Sequence, residues 1–432
     1  MSFGIPVRNG LGIGLTPSTA LSTLRVGGRP AMFLNFIGTT SLSDMVTFSR
    51  GTTATFVGSD GFIQTAAINA PRFDYDPVTL AAKGLLIEEA RTNLALYTSD
   101  YTNAVWVKTD TTATPFSGTA PDGTNSATLL TQGSVGTAEV SQAINITAGN
   151  TITYSRYVKL GNARWYRIQI RNAGLTSFAN AWFDLTNGVV GSTSTTGGFA
   201  TLFGSTITNA GNGWFRLTFT LIIGAAFSTP VFSGSSVTAD ASATPVNGAT
   251  RFEWGNQAEA GAFATSYIPT VASTVTRSAD VATMTGTNFS SWYNQTEGTI
   301  VTQSSNFSKA SFPCVVAIND NTTSNRINVI SSTTTQNRVS VTTGGVVQAE
   351  FAFSNYVTNT IVSQALAIKA SNFAGSVNGA TVQTDTSGTV PTVTQMQLGV
   401  QAGGLNPLNG HIRQIAYYNT RLPNDTLQSL TA

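Results

Sequence analysis

The residues of this chain whose types first suggest chemistry lie in one unusually charged segment, PRFDYDPVTLAAKGLLIEEARTNLALY, residues 71–97. Only 10% of the chain is charged, yet seven charged side chains fall between residues 72 and 91: Arg72, Asp74, Asp76, Lys83, Glu88, Glu89 and Arg91. Two positioned carboxylates are enough for the hydrolysis of a glycosidic bond. The segment therefore raises a choice between an active site and a structural clasp.

Strand geometry favours the clasp. Adjacent residues of a strand point to opposite faces, so Glu88 and Glu89 cannot form the facing pair that hydrolysis needs. Asp74 and Asp76 share a face, but they flank a turn in which an Asp side chain accepts from backbone amides. We interpret the segment as a clasp of paired charges that joins the N-terminal anchoring arm to the first sandwich, and we expect Glu89→Ala to impair folding or assembly. Its residues are Arg72, Asp74, Asp76, Glu88, Glu89 and Arg91.

A second cluster, RYVKLGNARWYRIQIRNAG, combines arginine with aromatic residues. In a strand, Trp165 and Arg167 share one face, and Arg164 and Tyr166 share the other. An aromatic ring covers the apolar face of a sugar, while arginine bonds its hydroxyls or an acidic group. Arg164, Trp165, Tyr166 and Arg167 are therefore candidate carbohydrate-binding residues. The alternative is that Trp165 belongs to the core and the arginines face solvent or form salt bridges.

Other chemistry finds little support in the sequence. His411 is the only histidine and Cys314 the only cysteine, so a His-rich metal site and a thiolate cluster are both excluded. His411 lies in an apparent strand, where a packed or surface role is expected. Asp320 lies in a loop that we interpret as a plain surface loop rather than as a calcium site. We expect no catalytic residue, no metal and no cofactor.

The elements that must position these residues are strands. Short Val/Ile/Thr/Phe runs alternate with Gly and Asn over 432 residues, 41% of which are hydrophobic, a pattern typical of all-β sandwiches. We predict an all-β protein in which an N-terminal extended arm and hairpins precede two antiparallel, jelly-roll-type sandwiches. The predicted divisions are an arm at 1–30, a hairpin connector at 31–96, and sandwiches at 97–280 and 281–432.

The overall charge and hydropathy restrict the partners. A net charge of +2 without a basic block predicts no nucleic-acid partner. The N-terminal residues lack the apolar core of a signal peptide, and the apolar run at 217–227 is too short to span a bilayer. We expect synthesis in a cytoplasm and no membrane insertion.

Several separated motifs resemble a known family. The runs FSRGTTATFVGSDGFIQTAAINAPRFDYDP, YVKLGNARW, WFDLTNGVVGS, GWFRLTF, WGNQAEAGAFATSYIPT and VTRSADVATM, within residues 45–285, resemble tailed-bacteriophage virion proteins of the tail-fibre or capsid-associated kind. Their central region looks like a carbohydrate-binding-module jelly roll. The C-terminal run QLGVQAGGLNPLNGHIRQIAYYNTRLPNDTLQSL resembles concanavalin A-like or laminin-G-like sandwiches.

The resemblance implies a non-enzymatic structural protein on the virion surface, in the tail or the capsid. Its N-terminal region would attach to other virion proteins, and its sandwiches would bind host-surface polysaccharide. A homo-oligomer is expected, with a trimer as one option, and many copies would compensate for weak single sites. The alternatives are a capsid decoration or assembly protein without ligand and, less favoured, a polysaccharide depolymerase.

Overall fold

The structure, a computed structural model, describes residues 27–134, 136–307, 312–330, 336–354 and 357–432. In this part of the chain nearly all regular structure is β-strand, which confirms the predicted all-β class. The predicted arm, residues 1–30, lies outside the described residues except for residues 27–30.

Seven short strands come first. They are β1 (Met32–Asn35), β2 (Thr47–Ser49), β3 (Ala54–Val57), β4 (Ile63–Ala66), β5 (Phe73–Tyr75), β6 (Ala82–Ile87) and β7 (Arg91–Asn93). The two hairpins expected in this region are confirmed: β3 pairs with β4 and β5 pairs with β6, both antiparallel. Between β5 and β6, Asp76 Oδ1 accepts from the backbone amides of Val78 and Thr79 at 3.0 and 2.9 Å. The turn is therefore of the Asx type that the Asp-Pro pair predicts.

The central region contains thirteen strands among its described residues. They are β8 (Val107–Thr109), β9 (Thr111–Gly118), β10 (Ala127–Gln132), β11 (Glu139–Ala143), β12 (Thr151–Leu160), β13 (Trp165–Arg171), β14 (Phe178–Asp184), β15 (Val189–Thr196), β16 (Ala200–Asn209), β17 (Trp214–Ile223), β18 (Val231–Val237), β19 (Thr250–Ala260) and β20 (Val275–Arg277).

Twelve of these central strands form a sandwich of two six-stranded antiparallel sheets. One sheet has the order β16-β17-β12-β19-β10-β9 and the other β15-β14-β13-β18-β11-β8. Alternate residues of both sheets point inward, and Ile168, Phe183, Phe219 and Phe232 meet in a common core. The second sheet carries β13 and thereby the predicted sugar-binding segment.

The C-terminal region adds eleven strands, two α-helices and one 3₁₀ turn among its described residues. They are β21 (Val281–Thr285), β22 (Glu297–Asn306), β23 (Cys314–Asn319), β24 (Arg326–Ile330), β25 (Gln336–Thr343), β26 (Val346–Ser354), β27 (Val362–Lys369), β28 (Phe373–Val377), β29 (Gln383–Asp385), β30 (Gln395–Leu398), β31 (Gly410–Tyr418), α1 (Thr287–Ser290), α2 (Asn424–Thr431) and the 3₁₀ turn Ala402–Gly404. The terminal helix expected after Pro423 is confirmed. No helix in the described ranges is long and apolar enough to cross a membrane.

A second sandwich is built from the C-terminal strands together with strands from the N-terminal region. One sheet follows the order β29-β28-β27-β22-β31-β6-β5, with β1 also paired to β31, and the other the order β2-β21-β30-β23-β24-β25-β26. Leu34 and Leu85 of the N-terminal strands are buried in the same core as Ile300 and Val316. The region expected to be a separate connector, 31–96, thus supplies four strands to the C-terminal sandwich, because its alternating apolar residues complete that core. The four domain boundaries themselves stay a prediction.

Candidate functional site

Strand β13 presents two chemically different sides. Tyr166, Ile168 and Ile170 point into the core of the central sandwich and are fully buried. The alternate residues Trp165 and Arg167 point away from that core, as the period of a strand requires. The outward side is therefore the one on which a ligand can be bound.

Neighbouring strands continue this outward side with polar residues. Arg167 lies opposite Trp182 on β14 and Ser235 on β18. Gln169 lies opposite Asn180 and Ser233 in the same two strands, and Ser233 lies opposite a serine of β11. We call this surface the polar face and define it by Glu139, Ser141, Trp165, Arg167, Gln169, Arg171, Asn180, Trp182, Ser233 and Ser235.

Arg167 is the unusual member of the polar face. Its exposed fraction is only 9%, yet its guanidinium donates no hydrogen bond to any residue that the structure describes, and its Nε is buried without a partner. Ser235 Oγ, opposite it in register, is likewise buried without a partner. An unmet buried polar group costs roughly 1–3 kcal/mol. Burial lowers the pKa of Arg167, and Glu139 partly offsets this, but an arginine remains charged at neutral pH.

The charged and amide side chains around Arg167 are bonded to other residues. Arg171 Nη2 donates to Glu139 Oε1 at 2.5 Å, forming an ion pair across the sheet. Gln169 Nε2 donates to Asn180 Oδ1 at 3.0 Å, and Asn180 Nδ2 donates to Ser194 Oγ on β15 at 3.1 Å. These bonds fix the side chains around Arg167 without engaging it.

One end of the polar face is bounded by the loop at residues 238–246. The indole Nε1 of Trp182 donates to the backbone oxygen of Ser242 in this loop at 2.7 Å. Asp240 accepts from the backbone amide and the hydroxyl of Ser192 on β15, at 2.8 and 2.9 Å. The loop is thereby tied to two strands and covers Trp182, whose exposed fraction is 4%.

Trp165 is partly exposed and carries an arginine over its ring. The guanidinium carbon of Arg164 lies 5.4 Å from the ring centroid of Trp165. Arg164 is held there by Asp184 Oδ2, which accepts from its Nε at 2.9 Å and from its Nη2 at 2.6 Å. The hydrogen bond from Arg164 lowers the pKa of the Asp184 carboxyl to about 2. Arg164 is therefore already paired, and Trp165 is the accessible aromatic of the face.

The structure corrects the assignment of Tyr166 to the sugar-binding set. Its side chain is fully buried, and its hydroxyl donates to Glu253 Oε1 at 2.8 Å and accepts from Arg156. Arg251 Nε donates to the same Glu253 at 2.6 Å. Strand alternation turns Tyr166 inward, so it belongs to a polar cluster inside the central sandwich and does not contact a ligand on the polar face.

The predicted clasp residues have partners on distant segments. Glu88, with an exposed fraction of 0%, accepts from Arg72 Nη1 at 2.7 Å and from Arg277 Nη1 at 2.6 Å. The amide and hydroxyl of Ser266 donate to its two oxygens at 2.8 and 2.7 Å. Burial raises the pKa of Glu88, but Arg277 and Arg72 outweigh it and lower that pKa to about 2.

Asp280 extends this buried ion cluster. It accepts from Arg72, from Arg50 Nη1 at 3.0 Å and from the backbone amide of Glu88 at 2.9 Å. The cluster thus ties the β5–β6 hairpin to the segment between the two sandwiches, which contains Ser266, Arg277 and Asp280. We expected the clasp to join the arm to the first sandwich, and most of that arm, residues 1–26, lies outside the described residues.

The remaining clasp residues make separate contacts. Asp74 accepts from His411 Nε2 on β31 at 2.8 Å, which gives the single histidine a packed, buried place in the C-terminal sandwich. Glu89 Oε1 accepts from Arg91 Nε at 2.6 Å. Asp76 lies 3.8 Å from Lys83 at the surface, where such a pair contributes little.

A groove of about 820 Å³ lies beside this region, lined by residues that include Glu89, Arg91, Thr151, Gly261 and Thr276. Its two charged residues pair with each other, and Arg91 Nη1, which has no partner, is buried. The groove therefore presents a neutral ion pair rather than a free charge. It is a weaker candidate for ligand binding than the polar face.

Carboxylate chemistry finds no obvious pair among these residues, since Glu88 is bonded to two arginines and Glu89 to a third. In the part of the chain that the structure describes, no group of three or more His, Cys, Asp or Glu side chains could hold a metal ion. Asp320 instead closes its own turn, accepting from the hydroxyl of Thr322 at 2.6 Å and from Asn325 at 2.8 Å.

Sequence reasoning identified two residues of the polar face, Trp165 and Arg167, and missed the rest. The strand runs FANAWFD and VFSGSSV carried a usable signal. Asn180, Trp182 and Ser235 in these runs are polar or amphipathic, and along each strand such residues alternate with residues that face the core. What the sequence did not show is which strands lie beside β13.

No protein-family model matches the sequence, and no curated protein matches it. Several solved structures are similar to parts of the chain. The carbohydrate-binding module CBM40 of the Ruminococcus gnavus IT-sialidase, bound to α2,3-sialyllactose, has 15% identity and a TM-score of 0.31 over 34% of this chain and 88% of its own. Domain 4 of AbnA, a GH43 extracellular arabinanase from Geobacillus stearothermophilus, in complex with arabinotriose, has 11% identity and a TM-score of 0.29 over 39% and 82%. Domains LG4-5 of the mouse laminin α1 chain have 8% identity and a TM-score of 0.22 over 62% and 81%.

Proposed function

We propose that the protein is a non-enzymatic glycan-binding protein that holds a sugar on the polar face of its central sandwich. The observation that carries this proposal is Arg167, a cation without a hydrogen-bonded partner among the described residues, on a sheet face whose other charged and amide side chains are already bonded. A partly exposed tryptophan and an amide pair lie on the same face. Sugars offer hydroxyls to such groups and an apolar ring face to the aromatic.

The decisive experiment is a glycan array with the full-length chain, followed by calorimetric titration of the best oligosaccharide. We expect single-site affinities in the micromolar to millimolar range. Trp165→Ala removes the accessible ring and should weaken binding about tenfold. The matched control is Phe203→Ala, an aromatic with 59% exposure in β16 of the other sheet. Equal affinities in the two variants would show that the sugar does not sit on the polar face.

The wider role that we propose is attachment on a virion. Its support is the resemblance of residues 45–285 to tailed-bacteriophage virion proteins of the tail-fibre or capsid-associated kind. In this role the N-terminal region attaches to other virion proteins, the protein lies on the tail or capsid surface, and several copies raise the avidity of weak sites.

Cryo-electron microscopy of the particle, with analytical ultracentrifugation of the isolated chain, tests this role. A chain absent from the particle, or one that is monomeric at high concentration, would contradict it. A chain that is present in the particle but binds no glycan would instead be a decoration protein.

A further inference from the structure

The charges on the polar face do not cancel. Of its three charged residues, Arg171 and Glu139 form an ion pair at 2.5 Å. Beside Trp165, Arg164 and Asp184 are paired as well, and the carboxylate of Asp240 accepts hydrogen bonds from Ser192. Arg167 therefore carries the one charge on this face without a hydrogen-bonded partner among the described residues.

The surroundings of Arg167 restrict what can satisfy it. Its Nε is buried, whereas its two terminal nitrogens make no bond and are not sealed from the surface. Trp182 and Ser235 flank it in register on either side. The terminal nitrogens are therefore the part of the guanidinium that a ligand on this face can reach.

We propose that the polar face is selective for acidic glycans and that Arg167 binds the carboxylate of a sugar acid. The two terminal N–H groups of arginine match the two oxygens of a carboxylate, and such charge-assisted pairs are about twice as strong as neutral hydrogen bonds. A neutral hydroxyl satisfies one donor and leaves the charge unbalanced.

This inference rests on the proposed function, and the two fail in different ways. The probes are acidic bacterial polysaccharides, each in its native form and after chemical reduction of its carboxyl groups to alcohols, alongside neutral and sulfated glycans. Native acidic glycans should bind about 10- to 100-fold more tightly than their reduced forms. Binding of reduced or neutral glycans at equal strength would overturn the selectivity but keep the glycan-binding function. Binding confined to sulfated glycans would overturn the carboxylate assignment, and binding of no glycan at all would overturn both proposals.

Substitutions locate the effect. Arg167→Gln removes an unpaired cation and strands no partner, so the variant should fold, which thermal unfolding verifies. In this variant the affinity for the native glycan should be close to that for its carboxyl-reduced form. Arg167→Lys keeps the charge but loses the paired N–H groups of the guanidinium, so it should give an intermediate ratio of the two affinities. The matched control is Arg338→Gln in the C-terminal sandwich, which should leave the ratio unchanged. An unchanged ratio in Arg167→Gln would refute the role of this residue.

Discussion

Removing the charge of Glu88, in the charged segment at 71–97, should destabilise the protein far more than the same change at the neighbouring Glu89. Glu88→Gln keeps the size of the side chain but leaves Arg72 and Arg277 without their shared counter-ion. Breaking a buried ion pair by removing one partner typically costs about 3–5 kcal/mol. At roughly 2–4 °C per kcal/mol for sandwiches of this size, we expect the unfolding temperature to fall by roughly 10 °C.

Glu89→Gln is the matched control, because it changes the neighbouring residue in the same way. The Glu89 side chain is 31% exposed and pairs with Arg91 alone among the charged groups, so its loss should cost about 1 kcal/mol or less. The larger loss of stability is therefore expected at Glu88, whereas the sequence analysis expected it at Glu89. Differential scanning calorimetry of the two variants measures the difference, and a Glu88 variant as stable as the Glu89 variant would refute the reasoning.

The pH dependence gives an independent test of the same cluster. The pKa of Glu88 is about 2 in the folded protein, against a usual 4.5. Because the folded pKa is depressed, the stabilisation by Glu88 is fully present above pH 4.5 and is lost as the pH falls towards 2; it amounts to about 3 kcal/mol. The stability difference between wild type and Glu88→Gln should therefore shrink between pH 4.5 and 2. A difference that stays constant over this range would contradict the assigned pKa.

Two further changes test the fold assignments. Leu34→Ala should destabilise the C-terminal sandwich by about 2–5 kcal/mol, because Leu34 lies in its core. Chemical denaturation followed by circular dichroism measures this, and an unaffected transition would show that β1 is dispensable. Tyr166→Phe should lower the free energy of unfolding by about 1–3 kcal/mol, because Glu253 loses a hydrogen-bond donor. Its glycan affinity should stay within twofold of wild type. A large loss of affinity without a loss of stability would show that Tyr166 belongs to the binding site.

The local part of the fold was predictable from the sequence. The two hairpins, the turn at Asp76 and the terminal helix depend on residues a few positions apart, and all four are present. The separation of Trp165 and Arg167 from Tyr166 follows from the strand period alone. What local spacing could not show was that β1, β2, β5 and β6 complete the C-terminal sandwich, since their partners lie in β21 and β31, hundreds of residues away.

The sequence by itself determined the all-β class, the alternation of residues between the two sides of each strand, and the presence of a charged cluster around Glu88. Only the tertiary structure decided the partners: Arg277 and Ser266 for Glu88, and Trp182 and Ser235 for Arg167. The physical reason is that strand alternation is a property of neighbouring residues, whereas burial and pairing depend on which distant strands lie alongside. Arg167 is distinctive because no described residue of the strands on either side of it forms a hydrogen bond with its guanidinium, and the folding of the sheet decides this.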